Sequence, residues 1–509
     1  MHCKYKNILL LLSLTTLLSC SEGSSASNTD TSENINILNF DDVCKKTKFN
    51  TSYNNGEIEI TVSGNDNNIF TIKRSEIAYP SYNFNGTIIF SGNQANIQDP
   101  QVDENKEYFY SLFYEINNQI LPCISSSSIS NENNLDYSNE IDTFKQVDLP
   151  NTDTSFDLLS RIPVILSTRK GALLAFAERR EGSPSDSSPK SIVLSKSFDN
   201  GKSWSDYLKI IEDGMKSVGN PTAIYDENLE KITLLFSVMH ENATEELITS
   251  GVFDAEEGIR IKKITSYDDG HTWSESIDIT DSISRDNARF INVGPGIGII
   301  DRNGKYIFPA YDSINTIDQP GNASQSFMIV SSDNGESFSR SSSIDIGSDE
   351  NQIVELEDGS LKAFIRFYGD KKFVATSTSI GSEIDWTSPI YDANLPSSIV
   401  QQSVIRLSNI DEYLIGRIIF SNPIDQARRD KMAIKISLDE TNRWSYQKII
   451  DEVSGDHPDF NIGYSCLTVL NDKTIGILYE KYDDFTHSII FSRYNIEFLS
   501  NNEDRLILR

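Results

Sequence analysis

Downstream of residue 150 the apolar residues come in short bursts separated by polar stretches. Ile192–Leu194, Ile232–Phe236, Ile353–Leu356, Ile405–Leu407, Ile475–Tyr479 and Ile489–Phe491 are the clearest. They are short and rich in β-branched residues, which predicts strands rather than helices. Strands are also predicted upstream, at Glu57–Val62, Ile69–Ile72, Thr87–Phe90 and Tyr108–Ile116. The apolar run Ile8–Leu18 stands apart from both sets. Lys4 and Lys6 precede it and Leu17-Leu18-Ser19-Cys20 ends it, the pattern of a lipoprotein signal. The run is too short to span a bilayer. It predicts removal of residues 1–19, lipid attachment at Cys20, and a flexible tether over residues 20–36.

The polar segments between the downstream strands carry a repeat. Ser197-Phe198-Asp199-Asn200-Gly201-Lys202-Ser203-Trp204 is one copy, and Ser266-Tyr267-Asp268-Asp269-Gly270-His271-Thr272-Trp273 is another. Ser331 to Phe338 is a third, Ser437 to Trp444 a weaker fourth, and a fainter one ends at Trp386. All four tryptophans of the chain end a copy. The Asp can accept backbone N–H groups just ahead of it, the Gly supplies a positive φ, and the hydroxyl closes the turn. Such a unit locks a hairpin. The copies recur at steps of roughly 50 to 70 residues, the size of one four-stranded blade and its loops. The predicted fold class is all-β: a six-bladed β-propeller over residues 151–509, preceded by a small β-sandwich over 37–124. The stretch Gly86 to Phe113 loosely resembles part of a fibronectin type III-like sandwich. Residues 125–150, opening on four serines, read as a linker.

A net charge of −30 argues against nucleic acid as a partner. An anionic ligand would need a local cationic pocket. After export, Cys44 and Cys123 can form a disulfide, whereas Cys466 reads as a buried thiol. His240, His271, His457 and His487 fit no metal-ligand spacing, and no phosphate-binding glycine loop is present. Neither a metal nor another cofactor is expected.

Arg161-Ile162-Pro163 opens the propeller half, and further on lie Asp186, Glu355, Arg429 and Gly463-Tyr464-Ser465-Cys466-Leu467. With the repeated turns, this order resembles the bacterial exo-α-sialidases of the Asp-box type, over roughly residues 150–509. The resemblance implies release of terminal α-linked sialic acids from glycans with retention of configuration. It implies Tyr464 as nucleophile, Glu355 as its base and Asp186 as general acid/base. Arg161 and Arg429 would bind the substrate carboxylate, Arg180 would be a further site arginine, and Glu480 would steady Arg161. The second arginine of the carboxylate-binding triad is expected near Asp370-Lys371-Lys372. Either Lys371 stands in its place, or Arg366 reaches the site from upstream.

The residue types suit the chemistry. A carboxylate nucleophile would approach the sugar's own carboxylate against repulsion, and a tyrosine hydroxyl with a carboxylate base avoids this. Arginine forks bind a carboxylate by paired hydrogen bonds, and the acid needs a raised pKa. Sialylated glycans are the expected partner, with a lipid anchor to the cell envelope, the outer membrane, and a monomeric state. Two other readings are a propeller that binds glycans without cutting them and a hydrolase for another acidic nonulosonic sugar.

Overall fold

A computed structural model describes residues 40–509 apart from 55, 66, 81–85, 117–118, 130–134, 146–157, 254, 287, 315–323, 369–372, 382–383, 427, 454–461 and 484–485. The leader, Cys20, the tether and Lys371 lie outside the described residues.

Among the described residues the repeats resolve into six blades of four main antiparallel strands, the first two joined into one larger sheet by a parallel pairing of Lys190 with Ser217. Blade 1 is Leu158–Ser167, Leu173–Glu181, Lys190–Ser197 and Leu208–Ile211. Blade 2 is Ser217–Asp226, Lys231–Met239, Ile259–Ser266 and Ile277–Asp278. Blade 3 is Ala288–Val293, Tyr306–Ile314, Ser324–Ser331 and Ser339–Arg340. Blade 4 is Ser348–Glu355, Leu361–Phe367, Phe373–Ile380 and Asp385–Trp386. Blade 5 is Ser403–Ser408, Arg417–Pro423, Lys431–Ser437 and Tyr446–Glu452. Blade 6 takes Ile462–Val469, Ile475–Asp483 and Thr486–Tyr494 from the C-terminal end and its outer strand, Asp136–Glu140, from upstream of blade 1. Ile462–Val469 lies against Leu158–Ser167, so the ring of blades closes. The result is a six-bladed propeller.

The upstream domain is a sandwich of a three-stranded and a four-stranded sheet around a shared core that includes Ile58, Ile60, Ile72, Tyr110 and Leu112. Cys44 and Cys123 are bonded across it. Closing a loop of this length removes on the order of 4 kcal/mol of unfolded-chain freedom. The expected linker over 125–150 is overturned. Ser125 to Ser128 are buried within the strand Gln119–Ile129, and the strand Asp136–Glu140 belongs to blade 6. A serine run can sit in a buried strand when its hydroxyls find partners, as Ser111 and Ser125 do at 2.7 Å. The sandwich is also fastened to the propeller by a buried carboxylate. Its Glu107 is buried against Arg493 (2.7 Å), Lys202 (2.6 Å) and Asn200 (2.7 Å) of blades 6 and 1. Burial alone would raise the Glu107 carboxyl, but Arg493 and Lys202 outweigh it and bring it down to about 2.

The five repeated turns all join the third strand of a blade to its fourth. In the second copy Asp268 accepts Thr272 N–H (2.8 Å), Thr272 Oγ1 (2.6 Å) and Ser266 Oγ (2.8 Å), while Gly270 N–H goes to Ser266 Oγ (3.0 Å). Two successive residues, not one, are left-handed: Asn200 and Gly201 at φ 57° and 86°, Asp269 and Gly270 at 52° and 72°. At Gly201 a side chain is also excluded by space, since a Cβ would lie 2.0 Å from the buried Phe491 ring. Asp268→Ala strips three hydrogen bonds from one turn and should cost about 2 kcal/mol. A thermal melt should show the loss, with substrate affinity of the folded fraction nearly unchanged. Burial raises the Asp268 carboxyl, and the hydrogen bonds it accepts more than offset this and lower it. Its contribution is therefore present near neutral pH and is lost as pH falls through the acid range.

Strand direction fixes where chemistry can sit. First and third strands run the same way, so these turns occupy the edge of the propeller opposite the starts of the first strands. Starts of first strands, ends of second strands and the loops between second and third strands share the other edge.

Candidate active site

That second edge holds a cavity of about 440 Å³. Arg161 and Tyr464 enter it near the starts of the first strands of blades 1 and 6, and Glu350 near the start of that of blade 4. Arg180 and Arg366 come from the ends of second strands, and Asp186 from the loop between the second and third strands of blade 1. Glu480 lies on the second strand of blade 6, and Arg429 in the second-to-third-strand loop of blade 5.

Tyr464 is the hub. Its hydroxyl lies 2.7 and 2.8 Å from the two oxygens of Glu350 and accepts from Arg366 Nη1 at 2.9 Å. Arg366 Nη1 also reaches Glu350 at 2.7 Å. The ring packs on Ile162 and Val400, and the Arg161 guanidinium lies 5.6 Å from its centroid. Burial and then Glu350 push the Tyr464 hydroxyl well above its ordinary value, so it is neutral.

This geometry corrects the expectation for Glu355. That carboxylate pairs with Arg302 at 2.7 Å, on the edge away from the cavity. Glu350 lies five positions earlier on the strand, about 16 Å along the chain. The tight turn Glu357-Asp358-Gly359-Ser360 that follows marks Glu355 as belonging to the turn edge. The signal for Glu350 was its position at the opening of the strand, ahead of the apolar burst. A bulge between Ser348 and Asn351 accompanies both Asp349 and Glu350 lining the cavity, where plain alternation would send one of them away.

Arg161 donates to both oxygens of Glu480 at 3.1 and 3.0 Å, and Ile162 N–H adds a third bond at 2.8 Å. Glu480 is fully buried; burial would raise it, but Arg161 pulls it down to about 2. Gly463 permits the approach, since a Cβ there would lie 2.0 Å from Glu480 Oε2. Ile162 sits at φ 56° and Ile399 at 50°, a costly backbone for β-branched residues. The Ile399 carbonyl accepts from Arg429. Burial lowers the Arg429 guanidinium, and the charges of Arg366 and Arg161 add to this, so the three arginines act on one another. Arg366 thus reaches the site itself.

Arg180 bridges Glu178 (3.0 Å) and Asp186 (2.7 Å), and Lys190 pairs with Glu178 at 3.1 Å. Asp186 departs from its expected raised pKa. Desolvation within the cavity raises the carboxyl although its side chain is 88% exposed, and Arg180, Lys190 and Arg161 together hold it below the ordinary range. Residues the sequence reading did not single out also line the cavity: Asp349, Tyr368, Glu245, Lys190 and Tyr311.

The BNR repeat-like domain model matches residues 171–478. The chain is 30% identical over 338 residues to a sialidase of Bacteroides fragilis, covering 63% of this chain and 59% of that protein. It is 28% identical over 372 residues to an exo-alpha-sialidase of Aspergillus fumigatus, covering 67% and 85%. Among solved structures, the Hadza microbial sialidase superposes with a TM-score of 0.60 at 21% identity, over 85% of this chain and 91% of that one. A leech intramolecular trans-sialidase superposes at 0.58 and 17%, over 86% and 96%. The match spans more than half of the chain, which therefore belongs to the BNR repeat-like domain family.

Proposed function

We propose that this protein is an exo-α-sialidase that hydrolyses terminal α-linked sialic acids from glycans with retention of configuration. The observation that carries the reading is the Tyr464–Glu350 pair, held by Arg366 within reach of Arg161. Arg161, Arg366 and Arg429 receive the sugar carboxylate. Glu350 takes the Tyr464 proton as the phenolic oxygen bonds to the anomeric carbon. The bond to the leaving oxygen breaks, and Asp186 supplies that oxygen's proton. Water then displaces Tyr464 as Asp186 takes the water's proton, and Glu350 returns its proton to the phenol. Asp186 must gain its proton when the substrate is bound. The sugar carboxylate offsets Arg161, and the sugar itself displaces water, both of which raise the Asp186 carboxyl.

Release of a fluorophore from an α-linked sialoside, with identification of the sugar product, tests this. Free sialic acid supports hydrolysis. A 2,7-anhydro product would mean intramolecular transfer, and no turnover would favour a glycan-binding propeller or another acidic nonulosonic substrate.

The leader supports export and anchoring through lipid at Cys20, at the cell envelope. Labelling with a radioactive fatty acid should mark the wild-type chain and not Cys20→Ala. Equal labelling of both would overturn the anchor.

A further inference from the structure

An anionic sugar calls for a cationic cavity, yet among the described residues the lining is not cationic on balance. Four cationic side chains line it (Arg161, Arg180, Lys190 and Arg366) against five carboxylates, Asp186, Glu245, Glu246, Asp349 and Glu350. Most of the positive charge is already answered. Arg161 is paired with Glu480, while Arg180 and Lys190 share Glu178. Arg366 faces two carboxylates at once: Glu350 at 2.7 Å and Asp349 at 4.0 Å from its Nε. Asp349 is buried, 6% exposed, and is hydrogen-bonded to the Tyr368 hydroxyl. The Tyr368 ring lies 5.6 Å from the Arg366 guanidinium. Asp349 and Tyr368 thus both lie beside the Arg366 guanidinium, whose Nη1 is the atom that meets Glu350 and Tyr464.

Building on the sialidase reading, we infer that Asp349 is a positioning residue that couples occupancy of this cavity by an anionic sugar to proton uptake. It holds Arg366 against Glu350 and Tyr464, and its charge competes with the substrate carboxylate for the same guanidinium. The groups facing it are Glu350 on its own strand, Arg366 and Tyr368 from the second strand of blade 4 and just beyond, Tyr311 from blade 3 and Glu245 from the helix Glu245–Thr249 of blade 2. Burial raises the Asp349 carboxyl, Arg366 lowers it, Glu350 raises it again, and the balance leaves it at about 6. Glu245 is exposed by surface area but lines the cavity, where desolvation and then Asp349 raise it to about 7. Both are mostly protonated at about pH 5 and ionised at about pH 8, so affinity for an anion falls as pH rises between them.

Asp349→Asn keeps the shape, and the Tyr368 hydroxyl retains an oxygen to donate to, but the charge is gone. KM for a fluorogenic α-sialoside should fall about tenfold relative to wild type at about pH 8 and differ by less than about twofold at about pH 5. Its kcat should change by less than KM at the higher pH. Glu245→Gln, on an exposed short helix, should shift KM in the same direction by a smaller factor, and it serves as the test if Asp349→Asn melts below the assay temperature. A KM ratio equal at both pH values, or a KM that rises at about pH 8, overturns the inference. A wild-type protein that turns over no sialoside at any pH overturns the sialidase reading instead.

Discussion

Tyr464→Phe should lower turnover of an α-sialoside by about three to five orders of magnitude while leaving binding largely intact. The change removes one atom. The ring that packs on Ile162 and Val400 remains, as does the face it offers to Arg161. The stability cost is therefore small. The lost oxygen is the one that lies 2.7 Å from Glu350 and 2.9 Å from Arg366. Burial and Glu350 hold that hydroxyl neutral, so a base must remove its proton as it attacks. Phenylalanine has no group to fill this role, and a water in its place would have to reach the anomeric carbon beside the sugar's carboxylate. Binding should survive because Arg161 keeps its Glu480 pairing and Arg429 its hold on the Ile399 carbonyl. Equilibrium binding of a non-hydrolysable sialic acid analogue, measured beside turnover, separates the two effects. Turnover within tenfold of wild type would show that Tyr464 is not the nucleophile.

The frame of the molecule was legible because it repeats. Each Ser-x-Asp-x-Gly turn follows a third strand, and the spacing of the aromatic ends gave the number of blades. What did not repeat was harder to read. The sixth blade borrows Asp136–Glu140, a polar segment with no apolar burst, and Ser125 to Ser128 are buried despite their composition. Both depend on long-range pairing that local pattern does not encode. The site was legible wherever a motif fixes both residue and edge: Arg161 with Ile162, Tyr464 after Gly463, Glu480 in its strand. It failed where two glutamates share one strand. Glu350 and Glu355 lie in the same motif, and only the direction of that strand across the blade decides which of them faces the cavity. The Asp349–Tyr368 pair and Glu245 escaped notice because no motif contains them; blades 4 and 2 bring them together.

That ambiguity yields the sharpest comparison. Glu350→Gln should cut turnover by about three orders of magnitude, roughly 4 kcal/mol of transition-state stabilisation. Glu355→Gln should stay within about twofold. The glutamine keeps the size of the side chain and can still accept a bond from Arg366, but an amide cannot take up the phenolic proton. It also removes one negative charge from beside Arg366, so KM should fall while kcat collapses. Glu355 by contrast lies at the far edge, and its loss weakens only a part-exposed pair with Arg302, worth about 1 kcal/mol or less. Combining Glu350→Gln with Tyr464→Phe should cost far less than the product of the two single losses, because a base with no hydroxyl to deprotonate has nothing left to do. Full multiplicativity would mean that Glu350 and Tyr464 act in separate steps. A Glu355→Gln variant as impaired as Glu350→Gln would mean that the strand had been oriented the wrong way across the blade.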